Sequence, residues 1–284
     1  MQSPNEFIFP KPIWDQISII PTNRFSILPS FQLFLLLRAE SVEKYPFIMS
    51  KRNKLQKFSE LLTFPNVFEN FDIKQPELVG ENGMPVEMKG KWRENFFKNE
   101  NPITLELACG RGEYTLALAR RYPERNFIGV DIKGARIWKG AKTALNEDLT
   151  NVAFLRTRIE RIDQFFAREE VDEIWITFPD PFLRKSKANR RLTSPVFLRA
   201  YRKIIRAQGT IHLKTDEPNL YEYSLEVLSG HLRAKILHKS EDIYAGELPF
   251  EELEIKTYYE KMHLREGKKI KYIRFYLLPL GAQT

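Results

Sequence analysis

Cysteine is all but absent from this chain of 284 residues: Cys109 stands alone. One thiol excludes an internal disulfide, and such usage belongs to a reducing compartment, so a cytoplasmic protein is expected. Histidine is scarce as well. His212, His231, His238 and His263 show no metal-ligand spacing, so no metal site is expected. Long apolar runs are also missing, and none approaches the roughly 20 residues that a membrane helix requires. The nearest, FQLFLLLRA around residues 34–37, lies too far into the chain to be a signal peptide. No membrane association is expected. Finally, one stretch lacks negative charge. Residues 181–215 carry ten Lys or Arg and no Asp or Glu, whereas residues 1–48 carry four basic and four acidic residues and add nothing to the net charge of +8. Surfaces normally mix both signs. Such a run is either the footprint of a polyanion or a solvated loop and helix face.

What is present falls into three parts. Residues 1–48 are rich in Pro, Phe, Ile and Ser without helical or alternating periodicity, and the character changes at Met49, where a lysine-rich stretch begins. The expectation is an N-terminal extension over 1–48, disordered or upstream of a true start at Met49. Residues 49–100 read as a basic N-terminal segment. It holds a helix over 51–62, from which Lys57 can reach phosphate, and an amphipathic helix over 90–101 with Trp92, Phe96 and Phe97. From 101 to 284 strands and helices alternate. Strands are predicted at 103–107, 127–130, 152–155, 174–178, 210–214, 235–238 and 270–277, and helices at 113–121, 136–146, 195–206 and 220–229. That alternation defines an α/β domain: a Rossmann-like, doubly wound, mainly parallel sheet closed by a C-terminal antiparallel strand pair.

Two features of that sheet carry chemistry. In ITFPDPFLRKSKANRRL an apolar strand breaks at Pro179-Asp180-Pro181, because two prolines neither continue a ladder nor open an ordinary helix. One acid, Asp180, is thus fixed at a strand end, with Arg184, Lys185, Lys187, Arg190 and Arg191 directly behind it. Ligands of open α/β sheets bind beyond the carboxyl ends of the strands. The second feature is the turn in LELACGRGEYT. Gly110 and Gly112 let a ligand approach the backbone at a helix start, but Thr115 stands where a dinucleotide fingerprint has its third glycine. Glu106, inside the strand, would repel a pyrophosphate and suits a cation, such as the sulfonium and amino groups of S-adenosylmethionine. Asp131 ends the next strand, where an acid accepts from both hydroxyls of a ribose. That fits NAD as well as S-adenosylmethionine. Cys109 reads as small filler in a tight turn.

ELACGRGEYTLALA, FIGVDIKGAR, ITFPDPFLRKSKANRRL, HLKTDE and KTYYEKM together resemble the tRNA (guanine-N7-)-methyltransferases. The F-P-D-P element with its basic run is the specific part, and the glycine turn is shared by many methyltransferases. The resemblance implies a class I methyltransferase that uses S-adenosylmethionine to methylate N7 of guanine 46 in the variable loop of tRNA. It implies that Glu106, Gly110, Gly112, Asp131 and Asp180 contact the cofactor, with Asp180 the central catalytic acid. It also implies that Arg184, Asp216, Thr257 and Glu260 bind the guanine substrate, and that Lys185, Lys187, Arg190 and Arg191 hold the tRNA backbone. Three places depart from the family pattern. Ala108 stands where many relatives have Gly, Phe182 and Arg184 where Trp and Lys are usual, and Arg158 where an acid usually contacts adenine. Adenine is then left to backbone groups and Ile159. A methyltransferase for another substrate, an NAD(P)-dependent oxidoreductase and a non-catalytic RNA-binding module are the competing readings.

Overall fold

Ten strands join in one sheet in the computed structural model, which describes residues 54–70, 72 and 74–278. The expectations for residues 1–48 and for a start at Met49 lie outside the described residues. In chain order the first half consists of α1 (Lys54–Leu61), β1 (Val67–Glu69), β2 (Leu78–Val79), β3 (Pro85–Val86), β4 (Ile103–Leu107), α2 (Glu113–Arg121), β5 (Asn126–Asp131) and α3 (Gly134–Asn146). The second half consists of β6 (Val152–Arg156), β7 (Val171–Thr177), α4 (Pro195–Ile204), β8 (Ile205–Thr215), α5 (Pro218–Ser229), β9 (Ala234–Ser240), α6 (Tyr258–Arg265) and β10 (Lys271–Leu277).

The strand order is β3-β2-β1-β6-β5-β4-β7-β8-β10-β9. The run from β1 to β8 is parallel, and β10 lies antiparallel between β8 and β9, as the sequence led us to expect. Successive side chains of a strand point to opposite faces, and here both faces are covered. Ile128, Ala153, Ile174 and Ile176 enter one core with Phe197 and Leu198 of α4, while their neighbours Phe127, Phe154 and Trp175 enter the other with Leu116 of α2 and Ile137 of α3. Each fully buried Ile, Leu or Phe among them contributes roughly 1.5–3 kcal/mol. The chain winds outward from β4 and returns to β7 beside it, so the strand order reverses there and the crevice opens above those carboxyl ends.

Two expectations change. Residues 90–101 do not form a regular amphipathic helix. Only Trp92–Phe97 is helical, as a single wide turn that Lys98 closes in the left-handed region at φ 56°. The segment before β4 also supplies β1, β2 and β3, which the sequence did not reveal because each has two or three residues, too few for a period. β1 pairs in parallel with β6, and Arg156 Nη1 lies 2.6 Å from Glu69 Oε1 across that pair.

The far end of the sheet absorbs His212. Its ring stacks on Trp175 at 3.9 Å, Nδ1 lies 2.7 Å from the Tyr272 hydroxyl, and Nε2 lies 3.0 Å from Glu173 Oε1. Burial raises the Glu173 carboxyl, but hydrogen bonding and charge from His212, with the Arg125 guanidinium, overcome it and hold the group at about 2. This network ties β7, β8 and β10 together away from the crevice.

Candidate active site at the carboxyl ends of the strands

The turn after β4 is built from left-handed backbone: Ala108 at φ 60°, Gly110 at 58° and Gly112 at 67°. The two glycines are required for different reasons. A Cβ on Gly112 would sit 2.5 Å from Phe154 Cε1, so this glycine lets α2 pack onto the sheet. A Cβ on Gly110 would meet nothing within 4 Å, because this position faces open space. Asp131, at the end of β5, braces the turn: Gly110 N donates to its Oδ2 at 2.9 Å and Lys133 N to its Oδ1 at 2.8 Å.

Glu106 lies one layer deeper and is 3% exposed. Thr115 donates to Oε2 through its backbone N at 2.8 Å and also through its hydroxyl, and the Thr177 hydroxyl donates to Oε1 at 2.7 Å. Burial nevertheless pushes this carboxyl up to about 7, with the nearby Asp131 charge adding to the shift. Burial also raises the Cys109 thiol well above its ordinary value, so it is held protonated as small packing.

Beyond β7, the F-P-D-P loop is strained at both shoulders, with Phe178 at φ 48° and Phe182 at φ 43°. Non-glycine residues in that region cost of order 1–3 kcal/mol and persist where the surroundings over-determine them. Two clamps do so here. Phe178 N donates to Lys214 O at 2.8 Å, and the Arg191 guanidinium donates to Pro181 O at 3.0 Å and Phe182 O at 3.2 Å. Asp180 is left exposed at the tip of the loop. A cavity of about 570 Å³ lies before it, within the usual range for ligand sites; its lining includes Asp131, Arg136, Arg158, Ile159, Asp180 and Arg190. A smaller recess of about 80 Å³ reaches Glu106, Gly110, Arg111, Thr257, Tyr258 and Tyr259, and both spaces are lined by Ala108, Arg136 and Phe178. The structure therefore gathers Glu106, Gly110, Asp131, Asp180 and Thr257 around one crevice.

Arg191 corrects an expectation. It is 7% exposed, packs over the Tyr223 ring at 4.3 Å and spends its guanidinium on the loop carbonyls, so it is not free to hold a tRNA phosphate. Glu260 corrects another. It is 0% exposed: Lys214 Nζ lies 2.8 Å from Oε1, and the Tyr244 hydroxyl donates to the same oxygen at 2.6 Å. A carboxylate sealed beneath the crevice does not reach a guanine from there. Thr257 stays at the rim as the N-cap of α6, accepting from Glu260 N at 3.2 Å, and Tyr258 N donates to Glu113 Oε2 at 2.6 Å. Asp216 stands at the end of β8, with Lys268 Nζ 3.2 Å and His263 Nδ1 3.5 Å from Oδ2.

The acid-free run is also smaller as a surface than as a sequence. Lys203 pairs with Asp163 at 2.6 Å and Arg206 with Asp172 at 3.0 Å, while Arg191 and Lys214 are buried. Arg184, Lys185, Lys187, Arg190 and Arg199 remain exposed. Among the described residues no His, Cys, Asp and Glu cluster could hold a metal, and no helix is long and apolar enough to cross a membrane. Sequence reasoning missed Arg136, Tyr258 and Tyr259 as lining residues and Lys214 as a buried anchor. Arg136 had a readable signal, a second basic stretch without acids.

Comparisons with known proteins agree with this architecture. The family model described as "Putative methyltransferase" matches residues 100–273. The 16S rRNA methyltransferase KamB superposes with a TM-score of 0.51 at 16% identity, covering 69% of this chain and 96% of that one. The 16S rRNA (adenine(1408)-N(1))-methyltransferase from Catenulisporales acidiphilia gives 0.50 at 12% identity, over 69% of this chain and 96% of its own. These likenesses establish the class I methyltransferase fold. Sequence relatives go further. A tRNA (guanine-N(7)-)-methyltransferase from Christiangramia forsetii is 50% identical over 228 residues, 80% of this chain and 99% of the relative. The protein of that name from Bacteroides fragilis is 50% identical over 229 residues, 80% of this chain and 86% of its own length. Half of the residues are thus shared along nearly the whole of one such relative, and the chain belongs to the tRNA (guanine-N(7)-)-methyltransferase family.

Proposed function

We propose that this protein transfers a methyl group from S-adenosylmethionine to N7 of guanine 46 in the variable loop of tRNA. The observation that carries the reading is the shared cavity: Asp131 and Asp180 line one space, beside the open face of Gly110. The donor set suits this cofactor. Each Asp131 oxygen accepts one backbone N–H and keeps a second lone pair for a ribose hydroxyl. Glu106 supplies negative charge beneath the recess, which favours a cationic ligand over a pyrophosphate. When bound, S-adenosylmethionine supplies an electrophilic methyl group on a sulfonium. Relatives that share half of this sequence carry the guanine-N7 name; position 46 is what the resemblance of the F-P-D-P and KTDE elements implies.

The chain's own work is positioning. Guanine N7 has an in-plane lone pair and no proton at neutral pH, so no general base is needed and alignment of the reacting atoms supplies most of the rate. Asp180, exposed on a braced loop, is the central acid between cofactor and base. As methyl arrives, positive charge spreads into the purine and N1–H becomes more acidic. A carboxylate accepting from N1–H and the exocyclic amine stabilises that charge. Asp180 at the cavity serves this role, with Asp216 at the end of β8 as the second candidate and Thr257 at the neighbouring recess, and Glu260 acts from below by holding the wall of α6. Arg184, Lys185, Lys187 and Arg190 bind phosphates, which fixes register and makes binding fall with salt.

The test is methyl transfer from labelled S-adenosylmethionine to a tRNA transcript with guanine at position 46 and to its adenine variant. Label confined to the first transcript, mapped as N7-methylguanine, is the expected result. Equal labelling of both, or none of either, would overturn the reading.

A further inference from the structure

Residues 181–215 are not the only acid-free basic stretch. Residues 132–146 carry Lys133, Arg136, Lys139 and Lys142 and no Asp or Glu. α3 runs through them. Ile137, Ala141 and Ala144 bury one face of this helix; Arg136, Lys139 and Lys142, three residues apart, follow one another along the other side, and Lys133 stands just before the helix as its N-cap. Lys142 is engaged, 3.7 Å from Glu60 and over the Trp138 ring at 5.0 Å. Lys133, Arg136 and Lys139 are exposed, and their side chains have no hydrogen bond or ion pair among the described residues.

These charges do not serve the helix. α3 has no acid in its first turn, where the dipole favours one, and like charges three residues apart repel each other. Their position relative to the crevice accounts for them. Lys133 and Arg136 line the same cavity as Arg190 and Asp180, yet they come from the segment after β5, whereas Arg190 comes from the turn after β7. Arg136 also lines the recess with Tyr258 and Tyr259, which are 61% and 51% exposed. Cations from two separate chain segments therefore border one opening, with exposed aromatic rings beside them. A base that enters such an opening leaves a phosphate on each side of itself, and one cationic rim holds only one of the two.

We propose that Lys133, Arg136 and Lys139 form a second phosphate-contact surface, so that the backbone of the tRNA is gripped on both rims of the crevice. This rests on the methyltransferase reading above. The grip has one rim on the Arg184–Arg190 turn and the other on α3. Phosphate contacts carry no base information; they fix where the strand lies, so the base between the two rims is presented to the cavity.

The experiment uses the full chain and a tRNA transcript, with affinity measured across a range of salt concentrations. Lys139→Glu is the cleanest variant because Lys139 does not line the cavity. It is expected to weaken tRNA binding severalfold at about 0.1 M salt and to lower the slope of log affinity against log salt by about 0.7–0.9, the loss of one phosphate contact. Affinity for S-adenosylhomocysteine stays at the wild-type value, and the effect on turnover falls on KM for tRNA, not on kcat. Lys133→Ala with Lys139→Ala roughly doubles the fall in slope. Lys239→Glu, on exposed β9 at the far edge of the sheet, is the control for net charge. A wild-type slope in Lys139→Glu, or an equal fall in Lys239→Glu, overturns the second surface and leaves the methyltransferase reading standing. A wild-type protein that binds no tRNA overturns both.

Discussion

Lys214 and Glu260 meet as an ion pair in which neither side chain has any solvent exposure, with Nζ 2.8 Å from Oε1. Lys214 also donates to Ile255 O at 3.1 Å, so a strand of the sheet grips both the start of α6 and the loop that leads into it. Burial pulls the ammonium below its ordinary range, against the raising effect of Glu260, and burial with the same carboxylate holds the Tyr244 phenol protonated. Taking two charges out of water costs much of what their attraction returns. The pair is therefore an ordering device for the rim at Thr257–Tyr259 more than a source of net stability.

That argument separates single from double substitutions. Lys214→Met leaves Glu260 buried with only the Tyr244 hydroxyl and should cost about 3–5 kcal/mol, whereas Lys214→Met with Glu260→Leu should recover most of it. Urea midpoints of the two proteins decide the matter. A double variant as unstable as the single one would mean that Glu260 has no need of Lys214.

Arg190 and Arg191 are neighbours in opposite surroundings: the first is exposed, the second buried against the loop carbonyls. Arg191→Ala frees the carbonyls of Pro181 and Phe182 and lets Asp180 drift, so kcat should fall roughly a hundredfold, the cost of about 1 Å of misplacement, with tRNA affinity within a few-fold. Arg191→Lys does not rescue it, since an ammonium lacks the planar fork that spans two carbonyls. Arg190→Ala should raise KM for tRNA severalfold and spare kcat. Steady-state kinetics with tRNA as the varied substrate distinguishes the two residues, and matching profiles would contradict the assignment.

The contrast shows what the sequence can and cannot convey. The break at Pro179 and Pro181, the turn at Gly110 and Gly112 and the acid Asp131 at a strand end were all readable, because each follows from local backbone chemistry. Whether Arg191 or Arg190 faces outward was not, because it depends on Tyr223 and on carbonyls that only the folded loop presents. Glu260 was misread for a similar reason: its partner Lys214 is far away in sequence, on β8. Lys203 and Arg206 counted as free charge until Asp163 and Asp172 came beside them.

Asp180→Ala should abolish methyl transfer while leaving tRNA affinity within a few-fold, because the side chain is exposed and braces nothing in the loop. Single-turnover rates with bound tRNA measure this. A loss of tenfold or less would remove Asp180 from the centre of the reaction.

Ala108 bears a cost that glycine would avoid. Its φ of 60° costs roughly 1–2 kcal/mol for a residue with a Cβ, and Ala108→Gly gives back about 0.4–1 kcal/mol through a freer unfolded chain. Relief of strain is the larger effect, so the variant should be more stable by about 0.5–1 kcal/mol, a rise of roughly 1–4 °C in Tm for a domain of this size. Calorimetry in the absence of ligand checks it, and a lowered Tm would mean that the Ala108 methyl makes contacts worth more than the strain.

On the proposed reading, Glu106 should couple cofactor binding to pH. Its carboxyl titrates at about 7 in the folded protein against 4.5 in the unfolded chain, chiefly through burial. For an acid raised in this way the sign is unfavourable at high pH. Ionising it costs the ligand-free fold nothing below about pH 4.5, and the full cost, roughly 3 kcal/mol, is reached only above about pH 7. A bound sulfonium reverses that balance by favouring the carboxylate. Binding of S-adenosylmethionine at pH 6 should therefore release close to one proton, and affinity should climb between about pH 5 and 7. Calorimetric titration in two buffers of different ionisation enthalpy counts the proton, and Glu106→Gln should abolish its release. A wild-type protein that binds the cofactor at pH 6 without releasing a proton would show that Glu106 stays neutral beside it, and would transfer recognition of the positive charge to Asp180.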